Sequence, residues 1–468
     1  MNPILCTDSY KITQWPQYPP QTEYVHSYLE ARYGPPGMTH TTFFGEQYVR
    51  KTFLNRWITR DDLAEAEELT RLHFRKPLLN VAGFQRILNV HDGYWPVRVR
   101  AVPEGTNVPI SNVMLTMENT DPELPWVTDF LETKIVQLWY PITVATVSQH
   151  CRRVILSYLR KTGTPEDIDY KLHDFGFRGV STEESAVIGG MAHLVNFMGT
   201  DTLPSLVGAR TYYGCQMAGH SVPASQHSTI AAWGRSREAD AYQNMLTVFP
   251  ESVVACVSDT YDIYHACEAL WGTLLREQVL RRHGTLVIRP DSGPPVATVI
   301  KCLDILWGRF GGIVNHKGYR VLDPHVRLIQ GDGVDPEMIE QILKALEVQR
   351  YSADNLSGFG MGRALLQAVD RDMFSIAMKC SAVTVNGADR LVSKDPVGDH
   401  GKRSKPGRLT LYRRPDGLLV TSTLSSEGGK APNWTDAMRI TYEHNRDGHY
   451  EVEPETLDTI RGRSREGE

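Results

Sequence analysis

Arg289-Pro290-Asp291-Ser292-Gly293 sets a guanidinium and a carboxylate two residues apart on a proline-stiffened segment ahead of a glycine turn. A planar guanidinium suits bidentate phosphate recognition. A neighbouring carboxylate suits ribose hydroxyls or a phosphate-bound Mg²⁺. The alternative is a structural salt bridge beside an Asx-turn that leads into the next helix. Gly331-Asp332-Gly333 repeats the same polar, turn-forming character and favours the chemical reading. In Gly358-Phe359-Gly360-Met361-Gly362-Arg363, glycines would let main-chain N–H groups approach an anion at the start of a following helix. That run lacks the Lys-Ser/Thr ending of a Walker loop and the spacing of a dinucleotide fingerprint, so a monophosphate cup suits it better than either. His227, in Pro223-Ala224-Ser225-Gln226-His227-Ser228-Thr229, is either a structural hydrogen-bonder or a reactive imidazole, with Ser or Thr available to cap a following helix. The basic run from Lys402 to Arg408 is either a solvated turn or a lid that grips polyphosphate.

These groups need a scaffold, and the runs that precede them describe one. Val253 to Asp259, Leu286 to Gly293, Val326 to Gly333 and Leu356 to Arg363 are short apolar stretches, rich in β-branched residues, that break off into glycine and charge. Such a run reads as a buried strand with a polar C-terminal tip. Tyr170 to Arg178, His193 to Asp201 and Ser221 to Ser228 extend the series to seven tips, with helical patterns such as Thr260 to Leu280 and Pro336 to Val348 between them. Strand, helix, strand predicts parallel pairing through right-handed crossovers, and seven units are enough to close an irregular β/α barrel whose loop tips form the site. The sequence thus predicts an α/β fold with three stretches. Residues 1–150 have aromatic-rich alternating runs and a β-like stretch from Val97 to Met117. Residues 151–390 are the barrel. Residues 391–468 carry strand candidates at Leu409-Thr410-Leu411-Tyr412 and Leu418-Leu419-Val420-Thr421, and join the N-terminal part in one β-rich side domain.

Composition excludes several classes. The 468 residues are 41% hydrophobic and 22% charged, with a net charge of -5, so no whole-molecule field favours nucleic acid or a membrane surface. The N-terminus has no basic, apolar signal-like stretch and no spanning segment follows, which makes cytoplasmic residence the expectation. The seven cysteines are odd in number, scattered and without a C-x-x-C pair, so they read as small core hydrophobes.

Ordered blocks then carry a resemblance. Thr7-Asp8-Ser9-Tyr10-Lys11, Trp139-Tyr140-Pro141-Ile142-Thr143, Lys171-Leu172-His173-Asp174-Phe175-Gly176-Phe177-Arg178, Gly199-Thr200-Asp201-Thr202, the His227 segment, Ser258-Asp259-Thr260-Tyr261-Asp262, the Arg289 tip and Gln330-Gly331-Asp332-Gly333 resemble, in that order, the nicotinamide phosphoribosyltransferase family. The resemblance runs from Asp8 to about Arg408 and implies a type II phosphoribosyltransferase-like barrel. It implies synthesis of nicotinamide mononucleotide and pyrophosphate from nicotinamide and phosphoribosyl pyrophosphate, in a homodimer with active sites at the interface. By that resemblance Phe175 and the partner subunit's Tyr10 sandwich the pyridine ring, Arg178 lines the slot, and Asp201 accepts from the carboxamide N–H. Arg289, Asp291 and Asp259 surround the ribose and phosphate, and Gly331, Asp332, Gly362 and Arg371 the 5′-phosphate and ribose. Arg32, Lys379, Lys394 and Lys402 grip pyrophosphate or nucleotide phosphate, with Mg²⁺ as cofactor and its ligands unassigned. His227 matches a histidine that ATP, as co-substrate, phosphorylates. An anionic carboxylate opposite Asp201 would juxtapose like charges, which is a physical reason to expect nicotinamide over nicotinate. Departures from the family pattern are Gln226, Ala255, Ala377 and Arg363; the first removes a carboxylate beside His227 and bears on how strongly ATP is coupled.

Overall fold

The apolar runs with charged or glycine tips are strands in the computed structural model, which describes residues 1–395, 403–423 and 433–466. Leu172–Asp174, Gly199–Thr200, Val254–Val257, Leu286–Arg289, Val326–Gln330 and Leu356–Met361 form one six-stranded sheet. Every pair in it is parallel. Val254–Val257 is buried at every residue, as a strand covered on both faces requires. The seventh predicted strand survives only as two parallel bridges, Gly199 with His220 and Ala224 with Ala255. These bridges lie on the two edge strands of the sheet, so the segment between them closes the ring in sequential order. Main-chain bonds on both sides hold it: Thr200 N–H donates to His220 O at 3.1 Å, and Ala255 N–H to Pro223 O at 2.8 Å.

Helices Glu183–Leu194, Leu203–Tyr213, Glu238–Val248, Pro295–Phe310 and Pro336–Val348 make the crossovers. Pro336 follows Asp335, whose side chain accepts from Met338 N–H at 2.7 Å, so a capped, proline-led turn starts the last of them where the sequence predicts it. The Thr260 to Leu280 pattern is helical in pieces, Ile263–His265, Ala266–Leu274 and Arg276–Leu280.

The barrel residues belong to one compact unit, Val147–Val369 together with Arg465, and Met1–Thr146 with Asp370–Ser464 form the other. The barrel therefore ends some twenty residues before the expected boundary at 390, because Ala377–Val385 pairs antiparallel with Thr22–Glu30 instead of extending the parallel set. The second unit joins both chain ends in an antiparallel seven-stranded sheet, ordered Ala388–Leu391, Ala377–Val385, Thr22–Glu30, Val113–Asn119, Val97–Ala101, Arg439–Asn445 and Gly448–Glu451. Val97-Arg98-Val99-Arg100-Ala101 shows the period of two: the valines are buried, while Arg98 reaches across to Glu443 at 2.7 Å. The predicted strands near 409 and 418 pair with each other as Leu409–Arg413 and Leu419–Thr423. Cys151, Cys215, Cys256, Cys267 and Cys302 are buried thiols, and Cys6 and Cys380 are half-buried.

Candidate active site at the C-terminal tips of the barrel

Strand polarity sends the polar tips of the parallel strands to one end of the ring, where a β/α barrel builds its chemistry. Phe175 follows Leu172–Asp174, and its N–H donates to Met361 O at 3.1 Å, which ties this tip to the neighbouring strand. Gly331, past the end of Val326–Gln330, is where several tips meet. A Cβ there would lie 3.2 Å from Phe175 Cε2, 3.6 Å from Arg289 Cδ and 3.8 Å from Asp291 Oδ1. The aromatic ring, the guanidinium stem and the carboxylate thus surround one glycine.

The glycine run at 358–362 is placed differently from the expected cup. Gly358 and Gly360 lie inside the strand Leu356–Met361. A Cβ on Gly360 would come within 1.9 Å of Phe175 Cε2, and one on Gly358 within 2.8 Å of Tyr170 O. These two glycines make room for the ring and for the adjacent strand. Gly362 is the first residue past the strand and heads the short turn Arg363–Gln367, with a Cβ position 3.1 Å from Phe175 O. Asp332, Arg363 and Arg178 are exposed, the last in the single turn Phe177–Gly179.

Asp201 sits just past Gly199–Thr200, its N–H donating to Asp174 O at 3.0 Å. Its Oδ1 accepts from Ser221 Oγ at 2.6 Å and lies 3.0 Å from His173 Nε2. Burial alone would raise the pKa of Asp201, but the His173 and Ser221 hydrogen bonds and the Arg289 charge outweigh it, and the carboxyl lies below its ordinary value. Asp201 is therefore an ionised acceptor at neutral pH.

His227 opens the short helix His227–Ala231, preceded by Gln226, whose N–H donates to Thr229 Oγ1 at 3.2 Å. The cap is thus a glutamine answered by a threonine three residues on. His227 Nε2 lies 3.4 Å from Asp291 Oδ2 and 3.8 Å from Asp259 Oδ1, and Nδ1 lies 3.4 Å from Thr260 Oγ1. The imidazole is 48% exposed, whereas the Asp259 side chain is 3% exposed. Asp259 Oδ2 accepts from Asp291 N–H at 3.0 Å and Ser292 Oγ at 2.5 Å. Its Oδ1 is buried with no hydrogen-bond partner, as is Arg289 Nε, which stands 3.8 Å from Asp291 Oδ1. Buried charged atoms left in this state are costly unless a ligand completes them. His173, Ser221 and Thr260 stand in quoted sequence blocks, yet nothing in residue type alone assigned them a part. The signal for His173 is its spacing of two from Phe175 across the end of the strand, which lets the two rings pack together.

The remaining predicted residues lie in the other unit. Arg32 follows Thr22–Glu30, with its Nε donating to Ser375 O at 3.3 Å. Lys379 lies on Ala377–Val385, in register with Tyr28. Burial holds the Lys379 ammonium below its ordinary value, Glu132 opposes this, and the charges of Arg32, Lys394 and Arg371 push it further down. Four predicted phosphate-binding cations therefore share one neighbourhood and repel one another, a state that an anion relieves. Tyr10 is 55% exposed on the turn Ser9–Thr13. Lys402 lies outside the described residues.

Comparison with known proteins follows the same lines. A family model described as nicotinamide phosphoribosyltransferase, N-terminal domain, matches residues 2–99, and one described as the nicotinate phosphoribosyltransferase (NAPRTase) family matches residues 170–443. The chain is 49% identical over 448 residues to a nicotinamide phosphoribosyltransferase of Xanthomonas campestris pv. campestris, covering 95% of this chain and 94% of the relative. It is 31% identical over 465 residues to one of Acinetobacter baylyi, covering 91% of each. Among solved structures, a nicotinate-nucleotide pyrophosphorylase from Pyrococcus furiosus superposes with a TM-score of 0.59 at 17% identity, covering 97% of this chain and 92% of that one. Human nicotinic acid phosphoribosyltransferase gives 0.56, also at 17% identity, covering 98% and 93%. Likeness at that identity speaks to the fold, an α/β barrel with an antiparallel sheet unit.

Proposed function

The chain belongs to the nicotinamide phosphoribosyltransferase family, whose reaction joins nicotinamide to the ribose of phosphoribosyl pyrophosphate in NAD biosynthesis, and from that premise we propose how its residues divide the work. Phe175 is the floor on which the flat pyridine ring stacks, and Asp201 accepts from the carboxamide N–H. Arg178 closes the slot, and the partner subunit's Tyr10 supplies the opposite face in a homodimer. Arg289 and Asp291 hold the ribose and its phosphates. Gly331, Asp332, Gly362 and Arg371 receive the 5′-phosphate. Arg32, Lys379, Lys394 and Lys402 receive the pyrophosphate, whose charge grows as the anomeric carbon becomes oxocarbenium-like. No protein nucleophile toward the sugar is needed. The observation that carries this reading is the meeting of Phe175, Arg289 and Asp291 around Gly331, with ionised Asp201 electrostatically linked to Arg289.

Mg²⁺ fits the donor set in part. Asp259 Oδ1 is buried without a hydrogen bond, and Asp291 and Asp259 face the same imidazole, but the described residues contain no group of three or more potential ligands. Asp291 and Asp259 would hold the ion, with phosphate oxygens and water completing the shell. When bound, it supplies charge neutralisation to the departing pyrophosphate.

His227 is the residue that takes a phosphoryl group from ATP. Its ring is exposed enough for the γ-phosphate to reach, and two carboxylates face Nε2. A ring nitrogen attacks the γ-phosphorus, the bond to the β-phosphate oxygen breaks, and ADP leaves with its electron pair. His227→Ala is expected to abolish both acid-labile ³²P labelling by [γ-³²P]ATP and ATP stimulation while retaining basal transfer. ATP stimulation surviving intact in that variant would remove this role.

A further inference from the structure

We infer that His173 is a positioning residue for the nicotinamide slot, holding the carboxylate that reads the carboxamide and packing beside the ring that reads the pyridine. The inference rests on the roles proposed above for Asp201 and Phe175. Three observations support it. First, His173 Nε2 and Ser221 Oγ both meet Asp201 at the same oxygen, Oδ1, at 3.0 and 2.6 Å, so these two donors leave Oδ2 of a half-exposed carboxylate to other partners. Because Oδ1 is acceptor-only when ionised, the proton of a neutral His173 must sit on Nε2 for this contact to be a hydrogen bond. Second, the His173 ring centroid is 5.3 Å from that of Phe175, at an interplanar angle of 55°. Third, one neighbouring strand makes room for the imidazole at Gly199, as the other does for the Phe175 ring at Gly360. His173 is in register with Gly199 on one neighbour and Gly360 on the other, and a Cβ at Gly199 would lie 2.7 Å from His173 Nδ1. The imidazole side chain is only 15% exposed. One side chain thus fixes both the acceptor and the stacking platform, which is how a slot is kept to the tolerance that substrate positioning demands.

The charged groups facing this pair are Asp174 on the same strand, next to His173, and Arg289 from across the ring. Arg289 and His173 favour the ionised Asp201, so losing the His173 donor weakens that preference and moves the acid limb of activity upward in pH.

The test compares two substitutions at His173. His173→Phe keeps an aromatic ring beside Phe175 and removes the donor, whereas His173→Gln presents an amide N–H near the position of Nε2. Steady-state kinetics should show His173→Phe with KM for nicotinamide raised roughly tenfold, kcat at saturation changed less than about threefold, and KM for phosphoribosyl pyrophosphate unchanged. The acid limb of kcat/KM for nicotinamide should move to higher pH, and His173→Gln should recover most of the loss. Asp201→Asn is the control for the underlying reading and should both weaken nicotinamide and raise relative use of nicotinate. If Asp201→Asn behaves so while His173→Phe keeps the parental KM and pH limb, the inference about His173 is overturned and the slot assignment stands. If Asp201→Asn also changes nothing, the slot assignment falls and this inference with it. Should His173→Phe not fold, Ser221→Ala, which removes the other donor at an exposed position, must raise KM for nicotinamide in the same way, and a parental KM there overturns the inference.

Discussion

At the scale of single residues, the site holds buried charged atoms that the protein itself does not hydrogen-bond. Arg289 Nε is buried without a hydrogen bond beside Asp291, and Asp259 Oδ1 is in the same condition beside His227. A planar fork is pre-organised for two phosphate oxygens and an ammonium is not. Arg289→Lys is therefore expected to lower kcat/KM for phosphoribosyl pyrophosphate by about ten- to a hundredfold, on the order of 1.4 kcal/mol per tenfold, with little change in thermal midpoint. A variant with parental kcat/KM for this substrate would show that the guanidinium is structural. Sequence singles out Arg289 and Asp291 because they stand where an apolar run breaks off, and His227 because it stands beside residues able to cap a helix. It does not single out His173 and Ser221, because their part depends on a carboxylate that reaches them only through folding.

At the scale of elements, glycines separate the reading that sequence allows from the one that packing imposes. A run of three alternate glycines signals close approach, but sequence does not say to what. In the structure the close neighbour of Gly360 is Phe175, at a distance no real Cβ could occupy. Gly360→Ala must displace that ring, and overpacking of this kind typically costs ~1–3 kcal/mol. The expected result is a lower thermal midpoint together with a KM for nicotinamide raised about tenfold, checked by calorimetry and initial rates. Parental values of both would mean the ring does not sit against this strand. Five of the seven predicted barrel strands form within the predicted runs, whereas in His193 to Asp201 the first residues finish a helix and only Gly199–Thr200 pairs. The seventh was placed correctly, but its strand character was not readable, since the segment from His220 to Ala224 is held by single bridges on each side. The end of the barrel was misplaced for a related reason. Ala377–Val385 looks like another buried strand, and only its partner, Thr22–Glu30 at the far end of the sequence, shows that it belongs to the antiparallel sheet.

At the scale of the whole molecule, acid sensitivity follows from buried histidines in the sheet unit. Burial first, then the Arg408 and Arg100 charges, lower His26 to about 3. Burial, then His91 and His449, lower His444 to about 4. An unfolded histidine titrates near 6.5, so below that pH the unfolded chain binds protons that the native chain does not. The stability contribution is complete above about 6.5 and is lost as pH falls toward the folded values, at ~1.4 kcal/mol per pH unit for each such group. Urea midpoints should fall steadily from pH 6.5 to 4.5, and His444→Phe should flatten part of that slope; midpoints independent of pH in this window would contradict the burial of these rings. Among the described residues no helix is long and apolar enough to cross a membrane. The joining of both chain ends in one β-rich unit was legible in texture, from the alternating run Tyr24 to Leu29, the β-like stretch Val97 to Met117 and the strand candidates at 409–412 and 418–421, though not in register.

Purified protein incubated with phosphoribosyl pyrophosphate, Mg²⁺ and equal amounts of differently labelled nicotinamide and nicotinate, with and without ATP, tests the account most directly, because the product reports which ring the slot accepted. Nicotinamide mononucleotide and stoichiometric pyrophosphate should dominate in both conditions, with a higher rate when ATP is present. Preferential formation of nicotinate mononucleotide, or no mononucleotide at all, would contradict it.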